Sequence, residues 1–151
     1  MTRGTLLTGA LAWVLLAAQP AAKAGLAEDA AAASVDIYAR MTAKDAPGFL
    51  KYRPPGGFTE FTPSSKELQR LELKPFTDLF SSDMRVNLRA EDIKVQLIGD
   101  VAIVTGTRIG YVAAPHTTPV EVRYGLTMVW ARTNGALQLQ HLHYSPLATS
   151  K

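Results

Sequence analysis

The spacing of hydrophobic residues along this chain changes once, near Met84. Before that point Leu26, Ala30, Ala33, Ile37 and Met41 recur every three or four residues, the stripe of a helix packed on one side. Glu28 and Asp29 fall in its first turn, where the helix dipole favours negative charge. Pro47 and Gly48 are expected to end it. Tyr38 lies beside the stripe, with a hydroxyl able to reach a polar partner. Phe49 to Tyr52 and Phe58 to Phe61 read as two short extended pieces around Pro54-Pro55-Gly56-Gly57. Ser64 and Glu67 stand at capping-box spacing. A short turn should follow, and then a second helix opening near Pro75 with Phe76, Leu79 and Phe80 as its buried face.

After Met84 the period falls to two. Val86 and Leu88, then Val95 and Leu97, alternate with polar residues. Gly99-Asp100 is a turn, and residues 101–114 are rich in β-branched side chains. The stretch Pro115 to Pro119 breaks the chain. The last two strands meet at Asn134-Gly135, a pair suited to a tight hairpin. Helices segregated from a run of strands predict an α+β domain. Its curved antiparallel sheet would pack on a long N-terminal helix and a second, shorter one. Such a wrap leaves a cone with an open mouth, a favoured place for a pocket. Gly106, Gly110 and Gly125, inside strands, mark where bends or bulges would supply the curvature.

The 151 residues give room for one domain. Its start carries a different signal. Arg3 precedes an uncharged run, Leu6 to Ala18, and Ala22-Lys23-Ala24 fits a small-x-small cleavage site. Residues 1–24 are therefore expected to be a secretory signal peptide and residues 25–151 the mature domain, periplasmic or secreted. The run is shorter than the roughly 20 apolar residues of a membrane span, so no stable anchor should persist once it is removed. Arg3 and Lys23 are two of the 16 basic residues, and their loss brings the balance from +3 to +1. No basic cluster with interleaved aromatics remains, which argues against a nucleic-acid partner. The absence of cysteine excludes disulfides, thiol catalysis and cysteine-based metal sites.

The closing hairpin holds a longer pattern: Thr127, Val129, Trp130, Arg132, Gly135, Gln138, His141, His143 and Ser145. Written out, it is T-x-V-W-x-R-x-x-G-x-x-Q-x-x-H-x-H-x-S. Together with the element order and Gly99-Asp100 before a hydrophobic strand, it resembles the NTF2-like superfamily. That superfamily includes nuclear transport factor 2, ketosteroid isomerase and SnoaL-type proteins. The local likeness is to the association, or hub, domain of calcium/calmodulin-dependent protein kinase II and its bacterial relatives. Over residues 25–98 the likeness is in element order alone. The resemblance implies the cone fold, a pocket in its mouth and a homodimer formed through the sheet. It places Arg108 at a pocket-arginine position, whereas Met128 and Tyr144 stand where the hub domain carries arginine. Ketosteroid-isomerase chemistry needs a pocket carboxylate and a tyrosine/acid pair, and no motif here marks them.

His141 and His143 share one strand face with Leu139 and Ser145. A two-residue Asn134-Gly135 loop would set Met128 opposite His141 and Leu126 opposite His143. A three-residue loop with a bulge would set Thr127 and Gly125 there instead. The bulged version, which the resemblance favours, lines the cone with Tyr124, Leu126, Met128, Gln140, Leu142 and Tyr144. His141 and His143 are the candidate catalytic residues; Arg108, Tyr38, Tyr124, Met128 and Tyr144 are the candidate ligand contacts. A zinc site needs at least three protein ligands, and only His116 offers a third imidazole, so neither metal nor cofactor is expected.

Two readings of function result. The first is an exported module that binds a small, partly apolar organic molecule, assembles as a dimer, or does both. The alternative is an isomerase, dehydratase or cyclase-type enzyme using a pocket histidine or carboxylate as general base. A cone filled by its own side chains would instead indicate a partner domain without a ligand.

Overall fold

The first helix, α1 (Gln19–Thr42), buries the stripe read from the sequence: Leu26, Ala30, Ala33, Ile37 and Tyr38 are almost wholly inaccessible, and Met41 packs against them. The computed structural model describes residues 19–148. Most of the expected leader, residues 1–18, thus lies outside the described residues. Helix α1 itself runs unbroken through the expected cut after Ala24.

Two expectations about the segment before the long strands are corrected. Pro47 and Gly48 do not end a helix but lie inside one. Helix α1 stops at Thr42, and Asp45 caps a further turn, α2 (Ala46–Leu50), by accepting a hydrogen bond from the Gly48 N–H at 3.0 Å. Proline near that N-terminus lacks only an N–H that would have had no partner. Phe49 to Tyr52 is accordingly helix and turn, not an extended piece. No helix opens at Ser64, in keeping with the short turn expected before Pro75. The Ser65 hydroxyl accepts from the Thr62 N–H at 3.0 Å to close a turn. The chain then pairs β2 (Gln69–Leu71) antiparallel with β1 (Phe58–Phe61). The helix expected at Pro75 is present as α3 (Lys74–Ser81). It buries Phe76 against Phe49 and Phe58, with ring centroids 4.5 and 5.6 Å away.

Four long strands follow: β3 (Arg85–Ile98), β4 (Val101–Ala113), β5 (Val122–Thr133) and β6 (Ala136–Pro146). The sheet has six strands in the order β2-β1-β6-β5-β4-β3, and it is mixed, because β1 lies parallel to β6. The wholly antiparallel sheet expected from the sequence is corrected on this point. A four-residue strand that docks on the free edge of the last strand leaves little periodicity to read.

The curvature has identifiable causes. In β3 the inward residues are Val86, Leu88 and Ala90, then Ile93, Val95 and Leu97. The step from 90 to 93 is a bulge between Glu91 and Lys94, with Asp92 at φ 56°. At Gly110, φ is +123° and a Cβ would lie 1.9 Å from the Asn87 carbonyl oxygen, so the two backbones approach as only glycine permits. Asn134 and Gly135 both have positive φ, and Thr133 pairs with Ala136, the geometry of a two-residue hairpin turn.

Neither expected pairing of the histidines occurs. A bulge sits in β6 itself, beyond the turn: Trp130 pairs with Leu139 but Val129 with His141, leaving Gln140 extra. His141 therefore lies opposite Val129 and His143 opposite Thr127. The parity is that of the bulged alternative, so the side chains face as that alternative requires, two residues away along the strand. Inside the cup, Trp130 is fully buried and donates its indole N–H to the Ser34 hydroxyl at 2.9 Å. Ser34 in turn donates to the Ala30 carbonyl at 2.8 Å. This satisfied buried pair ties helix to sheet.

Candidate functional site

Alternation along β6 turns Leu142 and Tyr144 into the cup and His141 and His143 out of it. The cup holds a cavity of about 30 Å³, room for a water or two. Its walls are mostly apolar: Ile37 and Met41 from α1, Phe49 from α2, Phe58 from β1, Phe76 from α3, Met128 from β5, and Leu139 and Leu142 from β6. Its own side chains take up much of the cone, but three polar groups keep the wall from being the apolar filling that a partner domain without a ligand requires. Met41 and Met128 are the lining residues best able to give way. Three polar side chains, Tyr38, Glu60 and Tyr144, complete the lining.

The Tyr38 and Tyr144 hydroxyls share a hydrogen bond of 2.8 Å. Burial pushes both well above the ordinary phenol pKa, so both stay protonated at neutral pH. Two hydroxyls carry two protons and their mutual bond uses one. The accepting hydroxyl keeps a proton to donate elsewhere. Arg108, inward on β4, stacks its guanidinium over Tyr124 and Tyr144, 5.5 Å from each ring centroid. That is within cation–π range. Its Nε is buried and has no hydrogen-bond partner.

Glu60, the inward residue of β1, is the member that sequence reasoning missed. Burial pushes its carboxyl up to about 7, while the Arg108 charge pulls in the opposite direction without forming an ion pair. Glu60 accepts no hydrogen bond among the described residues. The available signal was slight: one acid between two phenylalanines in "FTEF", legible only once that stretch is known to be a strand.

Of the residues singled out in the sequence, Tyr38, Arg108, Tyr124, Met128 and Tyr144 come together. Met128 lines the cavity, whereas Tyr124 reaches the group through Arg108 and through a tilted contact with Tyr144 at 6.3 Å. Gln140, at the bulge, is outside it and donates its amide to the Gln138 carbonyl at 3.4 Å. Glu121 pairs with Arg89 and not with Arg108.

The histidines lie on the outer face. His141 Nδ1 is 2.8 Å from the Thr59 hydroxyl, and burial and the neighbouring His143 lower its pKa. His143 is exposed, edge-on to Phe61 with ring centroids 6.3 Å apart. His116 sits on an exposed loop at φ 63°. Among the described residues no group of three or more His, Asp or Glu is placed to hold a metal. Asp36 is a structural node, accepting from the Tyr52 hydroxyl at 2.7 Å and pairing with Arg40 and Lys51, each at 3.0 Å.

No protein-family model and no curated protein matches the sequence. Solved structures do match. An NTF2-like superfamily protein from Salmonella enterica superposes with a TM-score of 0.69 at 11% identity, over 85% of this chain and 96% of that one. A dehydratase candidate of the NTF2-like family from Streptomyces avermitilis gives 0.67 at 18% identity, over 84% and 99%. The calcium/calmodulin-dependent kinase II hub homology domain of Chlamydomonas reinhardtii gives 0.65 at 20% identity, over 81% and 98%. Each likeness covers the helix and the sheet together, and at these identities what is shared is the fold.

Proposed function

We propose that this NTF2-like fold holds a small organic acid in its cup and associates with a second copy through the outer face of its sheet. One observation carries the first half: Glu60, Tyr38 and Tyr144 line one part of an otherwise apolar cavity, and behind Tyr144 the buried Arg108 Nε has no hydrogen-bond partner. Buried polar groups are normally paired. A carboxylate accepting from Arg108 and from the spare tyrosine proton would satisfy both of those donors, its carbon chain making room by displacing Met41 and Met128. The test is a screen of short carboxylic acids by thermal shift, with native mass spectrometry of the purified chain to catch a retained molecule. Arg108→Met should abolish the response. Equal responses from the two proteins would reject Arg108 as the anchor.

A second reading draws on the same carboxyl. A carboxylate titrating near neutrality in a dry pocket is suited to general-base work, and a tyrosine hydroxyl can stabilise the oxyanion that forms. In an isomerase or dehydratase of that kind the base would be Glu60, since the histidines point away. Glu60→Gln that retains ligand but abolishes turnover would favour the enzyme.

The proposed association rests on the composition of the outer face. Ile103, Thr105, Thr127 and Val129 give it an uncharged centre, beside which Phe61 is 37% exposed. Sedimentation of wild type against Val129→Glu tests it, with loss of the larger species expected. We also retain the secretory leader. The first buried side chain described on α1 is Leu26, so a cut after Ala24 would keep the helix's whole described core stripe. N-terminal sequencing of the exported protein should begin at Gly25.

A further inference from the structure

We infer that His141 and His143 are half of a divalent transition-metal site that a second copy of the chain completes across the outer face of the sheet. The inference rests on the reading of that face as the surface of association, and it names what fastens the two copies.

The pair stands at the centre of that face. Strands β6 and β5 are the two middle strands of the sheet, and His141 is the middle residue of β6. Its lateral neighbours are Val129 and Thr59, and those of His143 are Thr127 and Phe61. When like surfaces meet about a twofold axis, residues near the axis meet their own counterparts. A contact between copies centred on this uncharged patch therefore brings two His141–His143 pairs together. One chain alone offers too few ligands, since among its described residues no group of three or more His, Asp or Glu could hold a metal. Two copies supply four imidazoles, the number a closed tetrahedral site takes. Ile103, Thr105, Thr127 and Val129 bring no carboxylate to the centre, and Glu60 lines the cup on the other side. Calcium and magnesium are poorly served there, whereas imidazole suits zinc, copper and nickel.

Local geometry prepares each pair for that role. Residues two apart on a strand share a face and stand about 6.6 Å apart, a span that two imidazoles leaning together can close on one ion. The Thr59 hydroxyl lies 2.8 Å from His141 Nδ1 and 3.3 Å from the Gln140 carbonyl. Having one proton, it serves both only by donating to the carbonyl and accepting from Nδ1–H. The Nε2 lone pair of His141 is then the one left to coordinate, and a hydrogen bond on the far ring nitrogen is the usual support of a metal-bound histidine. Burial and the neighbouring His143 lower the His141 pKa, which keeps that ring neutral, as a ligand must be. His143 is exposed and meets only the edge of the Phe61 contact at 6.3 Å, so its ring can turn toward the same ion. Arg70, beside Thr59 in the sheet, donates to the Gly56 carbonyl at 3.2 Å.

The experiment is sedimentation of the full chain, without an affinity tag, first in EDTA and then with zinc sulfate. Beside it runs a titration with cobalt(II), read by visible absorption. The expected result is one metal per two chains, with the absorption of a tetrahedral site. If only the paired copies bind zinc, free zinc at about 100 times its dissociation constant should tighten the association about hundredfold. His143→Ala, at an exposed position where substitution leaves folding intact, should abolish that gain. His116→Ala, on its exposed loop, should leave the gain unchanged.

The outcomes separate. Association that zinc leaves unchanged, or a gain that survives loss of both His141 and His143, overturns the inference; the association reading stands if Val129→Glu still disperses the copies. One tetrahedral cobalt per chain, held at full affinity by Val129→Glu, overturns the closure by a second copy. A chain that stays monomeric in EDTA and in zinc alike removes the association reading and the inference with it.

Discussion

Strands β1 and β6 lie side by side, and their two faces could hardly differ more. The inner face carries Phe58, Glu60, Leu142 and Tyr144; the outer face carries Thr59, Phe61, His141 and His143. Histidine is the side chain whose chemistry a reader looks for first, yet here it stands on the wetter face. His141 has a local hydroxyl partner and His143 is exposed. The plain glutamate, one residue from Thr59, lines the cup and accepts no hydrogen bond from the described residues. Burial moves both titrating groups toward their neutral forms, raising Glu60 and lowering His141. What differs is the setting: only the inner group lines the cavity and feels the Arg108 charge. A residue's surroundings, set by strand parity, make a site here more than its type does.

The largest effect should separate the faces directly. Leu142 is 6% exposed, and Leu142→Ala should cost about 2–5 kcal/mol through lost burial and the cavity left behind. His143→Ala on the outer face should change stability by about 0.5 kcal/mol or less. Urea denaturation of the monomeric chain measures both. Comparable losses would mean that the outer face is covered in the folded unit and would erase the contrast.

A smaller effect follows from the opposite directions of the two pKa shifts. The Glu60 carboxyl holds its proton up to about 7, above its ordinary 4.5. Between those values the folded state binds more protons than the unfolded, so this residue's contribution falls as pH rises. His141 acts the other way. Its folded pKa lies below 6.5, so its contribution is lost as pH falls below that value. Glu60→Gln should therefore stabilise the chain at pH 8 by something on the order of 2 kcal/mol, and by little at pH 4.5. Thermal melts at the two pH values test this, and equal gains at both would show that charge burial is not the cause.

These contrasts also mark what the sequence could tell. The α1 stripe, the Pro75 helix start and the Asn134-Gly135 turn were legible because each rests on local rules: period, the missing proline N–H, and positive φ. Tyr38 was placed by its position beside the helix stripe, whereas for Met128 and Tyr144 strand parity left two registers open and the family resemblance chose between them. The Gln140 bulge was not legible. It answers to Tyr52, whose carbonyl accepts the Leu139 N–H at 2.9 Å from a loop 87 positions away. Strand β1 was read, but its parallel docking on β6 was not, and Glu60 entered the site only with that docking. Non-local pairing brought in the one acid that matters most here.

The tyrosine pair gives the next test. Tyr38→Phe leaves the Tyr144 hydroxyl buried without its partner, which should cost about 1–2 kcal/mol. Replacing both by phenylalanine should restore most of that loss, since no buried hydroxyl is then left unmatched. A double-mutant cycle in denaturant measures the coupling. Additive losses would show that each hydroxyl has another partner in the cup.

The smallest effect is at Thr59, where the expected change is more in chemistry than in energy. Its hydroxyl is 2.8 Å from His141 Nδ1 and 3.3 Å from the Gln140 carbonyl, but it has one proton. Both contacts are satisfied only if Thr59 donates to the carbonyl and Nδ1–H donates to Thr59. His141 should then be the Nδ1–H tautomer, the opposite of the form free imidazole side chains prefer. Thr59→Val removes the acceptor while keeping the shape. Water can replace it on this half-exposed face, so stability should fall by about 0.5 kcal/mol or less. The ring should revert to the Nε2–H form, visible in nitrogen-15 shifts at a pH where it is neutral. An Nε2–H ring already present in wild type would mean that Thr59 donates to the histidine and that the bulge carbonyl at Gln140 is left to solvent.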